Sequence, residues 1–301
     1  MCISKRKIFF LWIVFATAVC TDGCNGSNNA NTVDDPTTIY SIIREDTSAG
    51  IDIVGLSRSN PMEVRKQIFE SQIPEISFEE KRKTFYAILD TLYRLKTYED
   101  EDSYADVDSF NYLAIHYLKN ILRDKKSCTY PLKHKMLSRT ISPDRNFSVY
   151  CWEENIGVDI PTMLSVYQYI AADGTIHSFF NMDNEDSEDF NFSTSKIIGI
   201  YRLSFTKEKS LYLLNFEGCT DNENCFKGST IVEIAENKLK FDYNSFGEKV
   251  KYFFETYAKG EKLTLSYNAA TKVLMYRWFM PNNKPEQKVF LFNGEMFQTK
   301  E

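Results

Sequence analysis

The sequence predicts an α+β protein in which a small N-terminal helical subdomain precedes a large antiparallel β-meander. Three observations support this prediction. Apolar residues recur at helical spacing before residue 141 and alternate at strand spacing from there almost to the C-terminus. Short polar turns separate the alternating runs, and no crossover helix interrupts them. The chain also holds 18 tyrosines and 23 phenylalanines, which suit half-buried pleated surfaces. A curved sheet, an open barrel and a partial propeller-like arrangement all agree with this pattern.

Length and charge narrow the classes of protein that fit. The 301 residues suffice for one large domain or two smaller ones with a sizeable core. The formal net charge at pH 7 is −6. Because nucleic acids and anionic lipid surfaces repel an acidic protein, we expect no nucleic-acid partner.

The first 23 residues have the pattern of a signal peptide. Residues 5–7 are basic, and residues 8–19 form an uncharged, mostly apolar run that is short for a membrane span. Cys24 directly follows the small residue Gly23, as the lipid-modified cysteine of a bacterial lipoprotein would. The sequence therefore predicts cleavage before Cys24 and a lipid anchor on this residue. Lipidation at Cys20 and ordinary secretion without a lipid are the alternatives.

Cysteine parity supports the choice of Cys24. Once the signal peptide is removed and Cys24 is lipidated, four cysteines remain, and these can form two disulfides in an oxidising compartment. The loop from Cys219 to Cys225 lacks the Cys-x-x-Cys spacing and the nearby histidines of a metal site. We therefore predict a disulfide there and no metal. Cys128–Cys151 is the predicted companion disulfide, although four cysteines allow three connectivities.

Residues 24–36 are small and polar and show no periodicity, which predicts a flexible tether. Residues 37–140 are predicted to be mainly helical. The clearest helix signal is a capping box, in which Ser77 precedes Glu80 by three residues ahead of an apolar stripe. The three predicted helices begin near Pro61, at Ser77, and after Asp106 or Asp108.

The antiparallel β-domain is predicted to span residues 141–301. It opens with a Ser-Pro-Asp turn at residues 142–144, where proline fixes φ and the short polar side chains can bond the backbone. Polar or glycine-containing pairs mark later hairpins, most clearly at residues 173–174, 236–237 and 293–294. In the strand after the first turn, Phe147, Val149 and Cys151 are predicted to face one way, and Ser148, Tyr150 and Trp152 the other.

The pattern Ser-Pro-Asp-x-x-Phe-x-x-Tyr-x-Trp at residues 142–152 resembles the blade-opening turn and strand of β-propeller proteins. With the signal peptide, the helical N-terminal half and the strand pair 211–216 and 230–234, the chain resembles uncharacterised secreted lipoproteins of Bacteroidota. The resemblance covers residues 60–301 loosely. It implies a helical part followed by a β-meander, and no known activity.

Candidate site residues are few. Trp152 and Trp278 are candidates for stacking a sugar ligand, and sheet packing is their alternative role. The acidic runs 99–108 and 183–189 lack the glycine and the terminal glutamate of an EF-hand, so solvated loops are favoured over Ca²⁺ sites. None of the three histidines belongs to a catalytic or metal-binding motif. We therefore assign no catalytic residue and no cofactor from the sequence.

These observations favour an exported cell-envelope protein, expected at the outer membrane and facing the periplasm or the cell surface. The leading functional hypothesis is a non-enzymatic binding or interaction module, held to the membrane by its lipid anchor, with an envelope protein or a glycan as its partner. The alternative is a secreted glycan-acting hydrolase that uses a dispersed pair of carboxylates, because such a pair leaves no local signature. A structural envelope component whose sheet assembles with other subunits is a third hypothesis.

Overall fold

The computed structural model describes residues 61–73, 75–95, 104–154, 162–180, 195–206, 208–241, 243–279 and 285–300. All of these residues belong to one unit of the chain, Ile53–Glu301. The predicted signal peptide, the tether, the lipidation site Cys24 and the acidic run 183–189 lie outside the described residues.

The helical part precedes the sheets, as predicted. The predicted capping box is confirmed, because the Ser77 amide donates to Glu80 Oε2 at 2.8 Å and the Glu80 amide donates to Ser77 Oγ at 3.2 Å. A short additional helix, not predicted, is capped by Asp124, whose Oδ1 accepts from the Lys126 amide at 2.9 Å. The described helices are α1 (Pro61–Glu70), α2 (Phe78–Leu95), α3 (Tyr104–Leu122) and α4 (Lys125–Thr129).

The first sheet follows the helices and contains four antiparallel strands in chain order. The predicted turn at residues 142–144 joins its first two strands, and the Ser142 amide donates to the Phe147 carbonyl at 2.8 Å. The strand Ser138–Ile141 precedes the predicted first strand and was not predicted, because it lacks the apolar alternation that marks the others. The strands are β1 (Ser138–Ile141), β2 (Phe147–Glu153), β3 (Met163–Ile170) and β4 (Ile176–Phe180).

The second sheet is built around β7, which pairs with β6 along its whole length. On its other edge, β7 pairs with β8 near its C-terminal end and with β9 near its N-terminal end. Gly228 lies within β7 where a Cβ atom would stand only 2.3 Å from Phe216 Cζ, so this position requires glycine. The strands are β5 (Ser195–Phe205), β6 (Lys209–Cys219), β7 (Asn224–Ala235), β8 (Lys238–Lys240) and β9 (Tyr252–Ala258).

The third sheet is again a four-stranded antiparallel meander in chain order. Glycine with positive φ is found at Gly294, in the predicted turn that leads to the last strand. The strands are β10 (Lys262–Asn268), β11 (Val273–Phe279), β12 (Glu286–Phe292) and β13 (Phe297–Thr299).

The elements stack in the order helices, first sheet, second sheet, third sheet. Helix α3 packs on β3 and β4 of the first sheet. One apolar core joins the first and second sheets and includes Phe147 and Tyr212. A second core joins the second and third sheets and includes Leu213 and Tyr276. The α+β class is therefore confirmed, and the described strands form three sheets without a closed barrel.

Candidate functional site

The predicted disulfide between Cys219 and Cys225 is formed, with an S–S distance of 2.07 Å. The two cysteines are register partners at the end of the β6–β7 hairpin. Asp221 shapes the loop between them, because its Oδ1 accepts from the amides of Glu223 and Asn224 at 2.7 and 2.6 Å. The disulfide thus links the two strands at the end of a hairpin, and it fits an oxidising compartment.

The predicted Cys128–Cys151 disulfide is wrong, because both cysteines are free thiols. Cys151 faces the second sheet within the apolar core and contacts Ser165 Oγ at 3.2 Å. Cys128 lies on the opposite side of the first sheet, where its sulfur accepts from Gln168 Nε2 at 3.8 Å. A strand places alternate residues on opposite faces, so no rotamer of Cys151 reaches a partner on the helices.

The two predicted stacking residues are not brought together. Trp152, in the first sheet, is only 1% exposed, and its indole N–H donates to Asn111 Oδ1 at 3.0 Å. Its ring therefore has no face open to a ligand in this structure. Trp278, in the third sheet, is half-buried against the second apolar core, and the Lys288 ammonium lies 5.8 Å from its ring centroid.

Two half-buried carboxyl groups lie near each other at one end of the first sheet. Asp108 comes from α3, and Glu154 follows β2, where its carbonyl accepts from Asn111 Nδ2 at 2.7 Å. Burial, together with the neighbouring charge of Asp108, raises the pKa of Glu154 to about 7. Burial also raises the pKa of Asp108. No cation is paired with either carboxylate among the residues that the structure describes.

A groove of about 460 Å³ lies beside the edge strand β1. Apolar side chains and basic or imidazole side chains share its wall, and none of the lining residues is acidic. Residues 131–137, between helix α4 and strand β1, supply most of this wall. We call it the basic groove, and its lining is Pro131, Leu132, Lys133, His134, Leu137, Arg139 and Ile141.

Helix α2 fixes one wall of the basic groove. The Lys133 amide donates to the Tyr86 hydroxyl at 2.9 Å, and the Tyr86 ring stacks on His134 with centroids 5.9 Å apart. His134 Nδ1 accepts from the Met136 amide at 3.3 Å, which leaves the ring proton on Nε2. Nε2 then donates to Asp90 Oδ1 at 3.2 Å, and Asp90 is not one of the residues that line the groove. The imidazole is therefore held in place by contacts behind the groove.

Strand β1 supplies the other wall. Arg139 is the register partner of Tyr150 on β2, so both side chains lie on the helix-facing side of the first sheet. The Arg139 guanidinium carbon lies 5.3 Å from the centroid of the Tyr150 ring. Arg139 Nε is buried and meets no hydrogen-bond partner in the described part of the chain. Ile141, two residues further on, is 37% exposed at the end of the groove.

The other two histidines have structural surroundings. His116 Nε2 lies 3.1 Å from the Ser71 carbonyl, and burial lowers the pKa of this imidazole. The ring of Phe69 packs edge-on against it. His177 stacks on Tyr169 with centroids 5.3 Å apart. Neither histidine lines the basic groove.

The basic groove is not predictable from the sequence alone. The only sequence signal was the basic pair Lys133 and Lys135 around His134, which is normally a solvated feature. Arg139 carried no signal, because its role depends on the register that β1 adopts against β2. Within the described ranges, no group of three or more His, Cys, Asp or Glu side chains is placed to hold a metal ion. None of the described helices is both long and apolar enough to cross a membrane.

No protein-family model matches this chain, and no curated protein or solved structure is significantly similar to it. The basic groove and the carboxylate pair are therefore the two features that bear on function.

Proposed function

We propose that this protein is an exported, lipid-anchored protein of the cell envelope that acts as a non-enzymatic binding module through the basic groove. The observation that carries the proposal is the composition of the groove wall, in which Lys133 and Arg139 stand among apolar side chains without any acid. Binding sites commonly combine apolar walls with a few convergent polar groups in this way.

The leader sequence supports export. Residues 1–23 have the order of charge and apolar residues that a signal peptide requires, and Cys24 follows them directly. The Cys219–Cys225 disulfide agrees with an oxidising compartment. In this proposal the protein is held at the outer membrane by a lipid on Cys24, facing the periplasm or the cell surface, and its partner is an envelope protein or a glycan.

The stacking of the sheets supports a partial propeller-like arrangement, which is part of the proposal. Two four-stranded meanders in chain order flank a second sheet whose first four strands also follow chain order. Propeller blades are meanders of this kind packed face to face. A partial propeller-like stack, and kinship with the uncharacterised secreted lipoproteins of Bacteroidota, are therefore parts of the same proposal.

The lipid anchor is tested by labelling cells with a radioactive fatty acid. We expect label on the wild-type chain and on a Cys20→Ala variant, and none on Cys24→Ala. Label that survives Cys24→Ala and disappears in Cys20→Ala would move the anchor to Cys20.

The binding role is tested with a photoreactive amino acid placed in the full chain within its own envelope. Position Ile141 lies in the basic groove, and Leu291, which is 43% exposed on the third sheet, provides a matched control. We expect a discrete cross-linked product from position 141 only. Identical products from both positions would show random collision and would contradict a binding site in the groove.

A second candidate function is a glycan-acting hydrolase, and the specific observation that favours it is the Asp108 and Glu154 pair. A carboxyl group whose pKa is raised to about 7 keeps its proton near neutral pH and can act as a general acid. Retaining and inverting glycosidases both use two carboxylates. Release of reducing ends from envelope glycans that is lost in Glu154→Gln, and kept when the exposed Glu286 is changed to Gln, would support this candidate.

A further inference from the structure

The basic groove contains a hydrogen-bond donor that the described protein does not satisfy. Arg139 Nε is buried without a partner, and Arg139 lines the groove. Leaving a buried donor unsatisfied destabilises the folded state, and more so when the group is charged. Buried unsatisfied groups are rare in native structures, so this one calls for a physical explanation.

The ring of Tyr150 supports Arg139 from the sheet side. Tyr150 is fully buried and does not line the groove, and the Arg139 guanidinium carbon lies 5.3 Å from the centroid of its ring. This contact holds the guanidinium on the helix-facing side of β1 and β2. Arg139 Nε is therefore the unused donor that the groove contains.

The electrostatics of the groove select a negative ligand group. Its lining contains Lys133 and Arg139 and no acid, although the whole chain has a net charge of −6. Asp90, the acid nearest to His134, accepts from that imidazole and lies within 3.8 Å of the Lys135 ammonium. This carboxylate is therefore already paired and is not part of the lining.

The remaining wall is apolar and selects the rest of the ligand. Leu137 and Ile141 flank Arg139 along the chain and line the same groove. Ile141 is 37% exposed, so a ligand that covers it removes apolar surface from water. An anionic sugar, with hydroxyl groups all around its ring, would leave these side chains facing polar atoms.

We propose that the basic groove binds a carboxylate that carries an apolar body, with Arg139 bonded to the carboxylate and Leu137 and Ile141 packed on the apolar body. This inference rests on the proposed binding function and names its ligand class. Two sources supply such a group in an envelope: a fatty acid, and the C-terminus of a peptide that ends in apolar residues. A guanidinium presents two parallel N–H groups that match the two oxygens of a carboxylate.

The test uses the full chain with Cys24→Ala, so that no lipid anchor forms. Octanoate and N-acetyl-Leu-Leu represent the two sources, and octanol, N-acetyl-Leu-Leu amide and octyl phosphate are the head-group controls. Isothermal titration calorimetry measures each affinity. We expect at least one carboxylate to bind, and its uncharged counterpart and octyl phosphate to bind more weakly. The carboxylate that binds better identifies the source.

Two variants locate the site. Arg139→Gln should weaken carboxylate binding about 10-fold or more, because it removes a charge-assisted hydrogen bond. Ile141→Ser should weaken octanoate or peptide binding about 3-fold, through loss of apolar contact. Arg277→Gln makes the same chemical change as Arg139→Gln on the exposed outer face of the third sheet and serves as the matched control.

Several results would overturn the inference. If octyl phosphate binds more tightly than octanoate, the groove selects an anion other than a carboxylate. Equal affinity in Arg139→Gln and Arg277→Gln, both folded by circular dichroism, would remove the groove as the site. If neither carboxylate binds while the cross-linker at position 141 still captures a partner, the ligand class is wrong and the binding module stands. If neither experiment gives a product, the proposed function itself fails.

Discussion

The two faces of the first sheet are built from the same strands but are held by different forces. The face toward the second sheet packs Phe147 and Tyr167 into an apolar core. The face toward the helices also buries large side chains, but it is tied by hydrogen bonds through Trp152 and Gln168. Gln168 Nε2 alone lies 2.7 Å from both the Leu122 carbonyl and Ser127 Oγ.

The apolar face supplies most of the stability, and the hydrogen-bonded face determines how the helices dock on the sheet. Apolar packing supplies most of the stabilising free energy and depends little on direction. Directional bonds fix which part of a helix meets which strand, since a one-residue slip would leave buried groups unpaired. The basic groove lies at the margin of the helix-facing side, where β1 is an edge strand.

The largest effect is expected from deleting a ring on the apolar face. Phe147 is 0% exposed and packs against the rings of Tyr167 and Tyr212. Phe147→Ala should lower the free energy of unfolding by about 3–5 kcal/mol, because it leaves a cavity in a closely packed core. Phe254→Ala removes the same ring at a position that is 44% exposed and should cost far less. Urea denaturation measures both, and equal losses would contradict the assignment of this core.

A smaller effect is expected from removing the Gln168 hydrogen bonds on the helix-facing side. Gln168→Leu keeps the side-chain bulk but deletes the bonds to the Leu122 carbonyl and to Ser127 and Ser148. We expect a loss of about 1–3 kcal/mol, since the former partners stay buried. Amide hydrogen exchange should accelerate first at the end of α3. Gln287→Leu, at an exposed position of the third sheet, is the control. Unchanged amide exchange at the end of α3 in Gln168→Leu would contradict the idea that these hydrogen bonds fix the position of the helix.

Much of this architecture was predictable because alternation is a local signal. The opposite orientations of Phe147 and Trp152 follow from the strand period alone. Turns with positive φ at Gly174 and at Asn237 also stand where the sequence places tight hairpins. By contrast, β1 was missed, because four residues without apolar alternation become a strand only through pairing with β2.

The candidate sites were far less predictable, because their residues come together through register and stacking. Asp108 and Glu154 are 46 residues apart, so no local spacing links them. Arg139 meets Tyr150 only once the β1–β2 register is known. The wrong Cys128–Cys151 disulfide has the same origin, since the number of remaining cysteines suggested the pair and the face of the sheet decides whether they can meet.

Asp144, in the first turn of the first sheet, is a charged group that bonds to residues of the second sheet. It tests whether a polar contact can stabilise the otherwise apolar face. Burial raises its pKa, but hydrogen bonds from Ser142, Asn146 and Tyr212 and the charge of Arg202 outweigh it, so the pKa is lowered. A lowered pKa adds stability that is present at neutral pH and is lost as pH falls through the folded-state value. Asp144→Asn should therefore lower the free energy of unfolding by about 1–2 kcal/mol at pH 7, and the difference from wild type should shrink in acid.

A double-mutant cycle provides the control for Asp144. Its Oδ2 accepts from the Tyr212 hydroxyl at 3.0 Å and lies 3.1 Å from Arg202 Nη1. Tyr212→Phe removes one of these bonds while leaving the ring in the apolar core. Its effect should be smaller in the Asp144→Asn background than in the wild type. Strict additivity of the two changes would mean that the carboxylate does not join the sheets.

An effect of similar size concerns pH on the helix-facing side, where Glu154 follows β2. Its folded-state pKa is raised to about 7, whereas the unfolded chain releases this proton near pH 4.5. The folded state therefore binds the proton more tightly, and this part of its stability is complete at low pH and is lost as pH rises toward 7. After allowance for partial exposure, the loss should be about 1–2 kcal/mol. Thermal unfolding from pH 4 to pH 8 measures it, with Glu154→Gln expected to flatten the profile and Glu286→Gln to leave it unchanged. If wild type and Glu154→Gln show the same slope, the carboxyl group is solvated, and the helix-facing side carries no titrating group at this end of the sheet.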